Sequence, residues 1–279
     1  MHETLGKGLT PAGTFPAGGD ERSGGSDVEV AFLVATGAEA EPLLRLVRTP
    51  REEMVAGKPW WTCRFAKGQG SGAAVILQSG YDKTNTAHSL TCLLETVRPE
   101  LVLQVGVGGA FREAGLGLGD IVVATEEIYA DTGVRTPDGW ISTKEFNSPL
   151  LEKDGHLFWN RFPLDDGLAS RCAKVIADGE WGASTPKIVA GPCVTLSEVS
   201  GSTARGDELH RRWGALLESM EGAAAAHVCA IYDVPFLEIR SVSNLVVDRD
   251  RESWEVGDAA KRAAQAAIYV CSRLDEVLT

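Results

Sequence analysis

The sequence LVLQVGVGGA at residues 101–110, followed by GDIVVA at residues 119–124, contains two short apolar runs separated by glycines. Residues 101–105 have the length and apolar content of a buried β-strand. The glycines at 106, 108 and 109 predict either a tight turn at the end of that strand or a loop that lets the backbone approach a ligand closely. Gly119 and Asp120 then introduce a second strand at residues 121–124. Such strands are typical of an α/β domain.

Strands and helices alternate along the rest of the chain. Apolar runs predict strands at residues 28–35, 73–78, 187–194 and 236–242, and helical spacing predicts helices at residues 38–44, 84–97, 167–178, 220–231 and 256–278. The alternation predicts one α/β domain over residues 27–279, built around a largely parallel or mixed sheet without internal repeats or linkers. The glycine-rich residues 1–26 lack the apolar core of a signal peptide, and we interpret them as a disordered tail.

The composition argues against several classes of protein. Asp and Glu number 39 against 27 Lys and Arg, giving a net charge of −12 without any basic run, so we expect no nucleic-acid partner. No apolar stretch approaches the roughly 18 to 20 residues that span a bilayer, so we expect no membrane insertion. The six cysteines are scattered, without a C-x-x-C pair, and fit a reducing cytoplasm better than a zinc site. No metal or other cofactor is expected.

The glycine cluster alone does not identify a ligand. It does not match G-x-G-x-x-G, and no Lys-Ser or Lys-Thr pair of a P-loop follows it, so dinucleotide and nucleoside triphosphate binding are weak interpretations. A structural turn and a ligand loop remain about equally good explanations. The ligand loop gains support because ligands of α/β sheets bind at the ends of strands.

Three polar residues also lie beside predicted strand ends or helix starts. Glu221 begins an alanine-rich helix, where it either stabilises the helix dipole or accepts hydrogen bonds from a vicinal diol such as a ribose. Asn244 follows the strand at 236–242, where it is either a turn former or a recognition amide with one acceptor and two donors. Glu39 follows the first strand and is either a solvated first-turn acid or a general base. Each residue taken alone leaves both interpretations open.

Together, several motifs resemble one family. The chain resembles the purine nucleosidase and nucleoside phosphorylase superfamily from about residue 28 to its C-terminus, and within it the futalosine hydrolase family. The motifs that carry the resemblance are VAFLVATGAE at residues 30–39, QVGVGGA at 104–110, GDIVVA at 119–124, SMEGA at 219–223 and RSVSN at 240–244. The resemblance to the futalosine hydrolases rests on YADTGV at residues 129–134, ESMEGA at 218–223, FLEIR at 236–240 and the residues from Asn244 to Trp254.

The resemblance implies a three-layer α/β/α fold with a central mixed sheet and a cytoplasmic homo-oligomer, a dimer or higher. It implies hydrolysis of the N-ribosidic bond of futalosine, which releases hypoxanthine and dehypoxanthine futalosine in menaquinone biosynthesis. The partner is therefore a small nucleoside substrate, and water is the nucleophile.

By the same resemblance, Glu221 holds the ribose hydroxyls, Met220 packs beneath the sugar, and Glu39 deprotonates the attacking water. Asn244 faces the base, where its amide suits hypoxanthine better than adenine. The remaining expected contacts of water and base are Val107, Gly108, Gly109, Val199 and Ser200. Val199 stands where relatives place an aromatic residue, which implies weaker stacking on that side of the base.

Three alternatives remain. A methylthioadenosine or S-adenosylhomocysteine nucleosidase would share the fold, Glu39 and Glu221, but adenine-specific members carry Asp where this chain has Asn244. A phosphorylase would need arginines that hold phosphate, and the turn at residues 36–38 contains none. A catalytically silent nucleoside-binding protein is a third alternative, since a fold does not determine a function.

Overall fold

The structure is a computed structural model that describes residues 28–182 and 184–279. The predicted N-terminal tail, residues 1–26, lies outside the described residues. The strands are β1 (Val30–Val34), β2 (Arg48–Val55), β3 (Lys58–Lys67), β4 (Gly70–Gln78), β5 (Leu101–Phe111), β6 (Ile121–Tyr129), β7 (Gly133–Thr136), β8 (Gly139–Ser142), β9 (Leu151–Lys153), β10 (His156–Phe158), β11 (Arg161–Pro163), β12 (Ile188–Thr195), β13 (Leu217–Ser219) and β14 (Phe236–Val246). The helices are α1 (Gly37–Leu44), α2 (Lys83–Leu94), α3 (Asp166–Ala177), α4 (Thr203–Trp213), α5 (Gly222–Tyr232), α6 (Val256–Ser272) and α7 (Leu274–Leu278).

The central sheet is mixed, as the sequence predicts. Its strands follow the order β11-β6-β12-β13-β5-β1-β4-β3-β2, and β14 pairs with both β5 and β6. The pairings β6-β12, β12-β13, β13-β5, β5-β14 and β14-β6 therefore form a closed ring. This half of the sheet curls round on itself, and the strand ends on its rim converge.

Helices cover both faces of the sheet, which confirms the three-layer prediction. Along β1, Phe32 contributes to a core beneath α1, α3 and α6, while Leu33 contributes to a second core beneath α2 and α5. Both side chains are almost completely buried. Because successive residues of a strand point to opposite faces, this pattern requires apolar cover on each side. Helix α6 packs against the sheet through buried alanines, which allow close approach of the two elements.

The glycine segment belongs to a strand, so the interpretation as a tight turn was wrong, and the strand predicted at residues 101–105 is longer than expected. Strand β5 continues through Gly106–Gly109 to Phe111, because β13 and β14 pair with its second half and satisfy its backbone hydrogen-bonding groups. A Cβ atom on Gly108 would lie 2.9 Å from the Leu217 side chain. The predicted end of the last strand was also wrong. Strand β14 runs to Val246 through an irregularity between Val242 and Asn244, which places Asn244 inside the strand.

Several elements escaped the sequence analysis. The strands β2 and β3 form an antiparallel hairpin, and β2 is exposed along nearly its whole length, so it lacks apolar alternation. Helix α4, the short strands β7 to β11 and β13 were also missed. The predicted final helix is two helices, because α6 ends at Ser272 and α7 begins at Leu274. Among the described residues, no helix combines the length and the apolar character needed to cross a bilayer.

Candidate active site

A cavity of about 550 Å³ opens where the ends of β1, β5, β13 and β14 meet. It contains every residue that the sequence analysis selected, although these residues come from five separate parts of the chain. The predicted residues that line it are Glu39, Val107, Gly108, Gly109, Val199, Ser200, Met220, Glu221 and Asn244. The cavity is therefore the candidate active site.

Glu39 is held in one orientation by the start of α1. Thr36 precedes the helix, and its backbone N–H and its hydroxyl donate to Oε2 of Glu39 at 2.9 and 3.0 Å. This is the capping-box arrangement, which satisfies donors at the helix N-terminus. The backbone N–H of Val107 in β5 donates to the other carboxylate oxygen at 3.0 Å. Three donors thus hold a buried carboxylate at the cavity wall.

Arg240 connects the two acidic sides of the site. Its Nη1 donates to the carbonyl oxygen of Val107 at 3.1 Å, its Nη2 lies 3.1 Å from Oε2 of Glu221, and its Nε donates to Oε1 of Glu238 at 2.6 Å. Gly106 provides the space for this arrangement, since a Cβ there would lie 2.5 Å from Glu39 and 2.7 Å from Arg240. The sequence analysis assigned Arg240 no role. A charged residue inside an apolar strand was the signal that could have identified it.

Glu221 is the N-cap residue of α5, and the cavity reaches its carboxylate. The backbone N–H groups of Asp82 and Met220 each donate to it at 3.3 Å. Burial raises the pKa of Glu221, while the positive charge of Arg240 acts in the opposite direction. The carboxylate is thus oriented from behind and keeps lone pairs for hydrogen bonds into the cavity.

A second pair of acids lies behind Arg240. Glu127 in β6 and Glu238 in β14 are completely buried side by side, and Thr195 donates to Glu127 at 2.7 Å. Burial, followed by the negative charge of Glu238, raises the pKa of Glu127 well above its usual value, which favours the protonated carboxyl. Glu238 then balances the charge of Arg240. Among the described residues, no three His, Cys, Asp or Glu side chains are grouped so that they could hold a metal ion.

Asn244 lies in β14, where it pairs with Gly109 of β5. The Ser243 hydroxyl lies 2.9 Å from Oδ1 of Asn244 and 3.2 Å from the carbonyl oxygen of Gly108, so its one proton serves these two acceptors. One N–H of the Asn244 amide donates to the carbonyl oxygen of Leu245 at 3.3 Å, which leaves the second N–H. The amide Nδ2 lies close above Gly109, because a Cβ atom on that glycine would be 3.0 Å away. With the acceptor oxygen occupied by Ser243, the amide presents a donor beside the glycine floor.

Glu218 is a further cavity residue that the sequence analysis did not select. The backbone N–H of Ser200 donates to Oε1 at 2.9 Å, and the Ser200 hydroxyl donates to Oε2 at 2.6 Å. The carboxylate is 5% exposed, and burial raises its pKa although both Ser200 hydrogen bonds act against that shift. Ser200 therefore reaches the site together with a carboxylate, and its backbone N–H is already occupied.

Aromatic and basic side chains line the outer part of the cavity. The guanidinium groups of Arg249 and Arg251 lie 4.9 and 5.9 Å from the centre of the Trp254 ring. Tyr81 also lines the cavity and is largely exposed. Because Val199 is aliphatic, Trp254 and Tyr81 are the aromatic side chains available to contact a planar ligand.

Comparisons with known proteins agree with this geometry. The profile of the Phosphorylase superfamily matches residues 29–278. A futalosine hydrolase of Thermus thermophilus is 32% identical over 75% of this chain and 86% of that protein. A 5′-methylthioadenosine/S-adenosylhomocysteine nucleosidase of a Geobacillus species is 30% identical over 88% of this chain and 98% of that protein.

Solved structures share the fold. The 5′-methylthioadenosine/S-adenosylhomocysteine nucleosidase of Neisseria meningitidis, solved with methylthio-immucillin-A, superimposes with a TM-score of 0.73 at 23% identity, covering 88% of this chain and 98% of that one. The corresponding enzyme of Streptococcus pyogenes gives a TM-score of 0.71 at 21% identity, covering 89% and 97%. The family match over nearly the whole described chain and the curated relatives show that this protein belongs to the Phosphorylase superfamily, among its nucleosidases, which are N-glycosyl hydrolases.

Proposed function

We propose that this protein hydrolyses the N-ribosidic bond of futalosine and releases hypoxanthine. The observation that carries the proposal is the Asn244 amide, which presents its donor in the same cavity as Glu39 and Glu221. The relative from Thermus thermophilus, named a futalosine hydrolase, supports the same substrate. We further propose that residues 27–279 form the nucleosidase domain and that the protein works as a cytoplasmic homo-oligomer.

In the proposed reaction, positive charge develops on the ribose as the bond to the base breaks. This is the oxocarbenium-like transition state known from glycoside hydrolysis. Glu39 accepts a proton from the attacking water, because its carboxylate lines the cavity and its backbone contacts hold it in place. Glu221 accepts hydrogen bonds from the ribose hydroxyls, and its negative charge also favours the positively charged sugar.

The leaving base accumulates negative charge in the same step. The Asn244 amide donates to O6 or N7 of the purine and stabilises that charge as it develops. Adenine presents an amino group where hypoxanthine presents O6, so the same amide would then face a donor. The unpaired polar group would cost about 1 to 3 kcal/mol, which favours 6-oxopurines.

Water rather than phosphate is the proposed nucleophile. Thr36, Gly37 and Ala38, which connect β1 to α1, provide no guanidinium group. Arg240 is close to Glu39, but its charge is already matched by Glu238 and Glu221. Binding of a phosphate dianion beside these carboxylates would bring like charges together.

A second candidate function is hydrolysis of methylthioadenosine or S-adenosylhomocysteine, which the relative from Geobacillus supports at 30% identity. The amide of Asn244 argues against this second function, because it would face the amino group of adenine. A silent nucleoside-binding protein would not require Glu39 and Glu221 to be held at opposite sides of Arg240.

The test is a substrate panel. Purified protein is incubated with futalosine, inosine, adenosine and methylthioadenosine, with and without phosphate, and released hypoxanthine or adenine is quantified by chromatography. We expect phosphate-independent release of hypoxanthine, with futalosine as the best substrate. Fast cleavage of methylthioadenosine with futalosine inert would replace the proposal by the second candidate. Binding of futalosine without turnover would support the silent protein.

A further inference from the structure

Glu218 and Asn244 stand at the same level on either side of one glycine. Gly109 in β5 pairs with Glu218 in the neighbouring strand β13 and with Asn244 in β14. Directly opposed residues of paired strands extend from the same face of the sheet. Both side chains and the glycine line the cavity. The glycine therefore forms the floor of a slot whose walls are a carboxylate and an amide.

The spacing of the strands sets the width of the slot. Neighbouring strands are about 4.8 Å apart, so the backbones that carry the two walls are about 10 Å apart. The floor is kept clear only because residue 109 is glycine. A Cβ atom there would lie 3.0 Å from Nδ2 of Asn244 and 3.1 Å from the side chain of Val246. Any larger residue would fill the space between the two polar groups.

Ser200 determines the polarity of one wall. Its backbone N–H and its hydroxyl both donate to the Glu218 carboxylate. Without Glu218, the wall would offer these donors to a ligand. With Glu218, the donors are occupied, and the group that remains is an acceptor. A carboxylate has about four acceptor positions, so two remain after Ser200 has used two.

The opposite wall has the reverse polarity. The Ser243 hydroxyl contacts the Asn244 oxygen, and one N–H of the amide donates to the carbonyl oxygen of Leu245, which leaves the second N–H as the donor. The slot therefore offers an acceptor on one side and a donor on the other. A 6-oxopurine carries a matching pair, the N1–H donor beside the O6 acceptor. A 6-aminopurine carries the opposite pair, an N1 acceptor beside an amino donor.

We propose that Glu218 is a base-recognition residue that accepts the N1–H of a 6-oxopurine, while Asn244 donates to the oxygen side of the same base. This inference rests on the proposed function, since it requires a purine nucleoside in this cavity. Adenine is disfavoured at two positions, because its N1 lone pair faces the Glu218 carboxylate and its amino group faces the Asn244 amide. Specificity of this kind depends as much on repulsion of the wrong base as on binding of the right one.

The first test compares the Glu218→Gln variant with the unmodified protein on inosine and adenosine. Glutamine keeps the shape of the side chain but removes its charge, and its amide can turn a donor toward N1 of adenine. We expect the ratio of kcat/KM for inosine to that for adenosine to fall by about 10- to 100-fold. Glu198→Gln is the matched control, because Glu198 is an exposed acid in the segment that carries Ser200 and does not line this cavity. It should leave the ratio unchanged.

A modified substrate gives a second readout. In 1-methylinosine the N1–H is replaced by a methyl group while O6 is kept. We expect the unmodified protein to cleave it at least about 10-fold less efficiently than inosine, and the Glu218→Ala variant, which opens space beside N1, to show a smaller difference. The effects of the N1-methyl group and of the Glu218→Ala substitution on kcat/KM would then be non-additive, as is expected for groups in contact.

The outcomes distinguish a failure of the proposed function from a failure of the role proposed for Glu218. If the unmodified protein cleaves no purine nucleoside, the proposed function is wrong. If it prefers inosine but Glu218→Gln lowers the rates on inosine and adenosine by the same factor, Glu218 has only a structural role and the inference is overturned. Equal circular dichroism spectra and Tm values for the variant and the unmodified protein show that the comparison is made on folded protein.

Discussion

The buried pair of Glu127 and Glu238 makes stability depend on pH in a way that one substitution should remove. We expect Glu127 to keep its proton in the native protein, because burial and the adjacent charge of Glu238 raise its pKa. In the unfolded chain its pKa returns to about 4.3. Unfolding at neutral pH therefore releases one proton from this residue.

The sign and size of the effect follow from linkage. Because the native state binds one more proton than the unfolded state, the free energy of unfolding falls as pH rises from the unfolded pKa to the folded one. The slope is at most about 1.4 kcal/mol per pH unit for one proton. The Glu127→Gln variant cannot titrate at this position, and its amide can donate to Glu238 while its oxygen accepts from Thr195. We therefore expect the free energy of unfolding of the Glu127→Gln variant to lose this dependence on pH.

The assay is denaturant or thermal unfolding at several pH values between about 6 and 8. For each unit by which the pH is raised, the free energy of unfolding of Glu127→Gln should increase by up to about 1.4 kcal/mol relative to that of the unmodified protein. A gain of about 2.7 kcal/mol over two units corresponds to about 5 to 10 °C in Tm for a chain of this size. The matched control is Glu126→Gln, which removes the neighbouring carboxylate of β6 that pairs with Arg161 at the surface.

Parallel curves of unfolding free energy against pH for Glu127→Gln and the unmodified protein would refute the raised pKa of Glu127. They would mean that Glu127 has the same protonation in the native and unfolded states. An equal change of slope in Glu126→Gln would point to a general effect of negative charge rather than to the buried pair.

Three substitutions test the proposed roles of cavity residues. Glu39→Gln should lower kcat by about 10²-fold or more with little change in futalosine binding, since it removes the proton acceptor but keeps the shape; near-normal turnover would exclude Glu39 as the base. Glu221→Ala should lower kcat/KM on ribonucleosides by about 10²-fold or more and affect 2′-deoxyinosine less, because the lost hydrogen bonds involve the ribose hydroxyls; equal losses would assign that role elsewhere. Asn244→Asp should narrow the preference for hypoxanthine over adenine, measured as base release from inosine and adenosine, because a protonated carboxyl can donate to N7 of adenine; an unchanged ratio would contradict the role of the amide.

The sequence indicated which residues meet in the cavity but not how they are oriented. Glu39, Glu221 and Asn244 could be selected because each stands next to an apolar run, and parallel strands bring such positions to one edge of a sheet. The glycine cluster could not be assigned from the sequence, because glycine permits a turn and also a close approach inside a strand. Only the pairing of β5 with two later strands distinguishes these cases, and that pairing joins residues more than one hundred positions apart.

The residues that the sequence analysis missed share one property. Their roles depend on contacts with residues that are far away in the sequence. In the sequence, Arg240 is an isolated charge in an apolar strand. Its contacts with Val107 and Glu221 place it in the site. Glu218 could be read as one more acid before a helix, although it stands immediately before the motif that suggested a ribose contact. Its contact with Ser200 is what gives it a chemical identity.

The arrangement of charge around Arg240 favours the two ends of the proposed transition state differently. Glu39 and Glu221 both reach the cavity, while the single guanidinium between them also binds the buried Glu238. Three carboxyl groups, those of Glu39, Glu221 and Glu238, therefore surround one guanidinium group where we propose that the sugar binds. A developing oxocarbenium ion is stabilised there more strongly than a neutral ribose, which is the condition for a rate enhancement. The leaving base develops the opposite charge and therefore needs a donor without negative charge of its own, which is the role that we propose for the Asn244 amide.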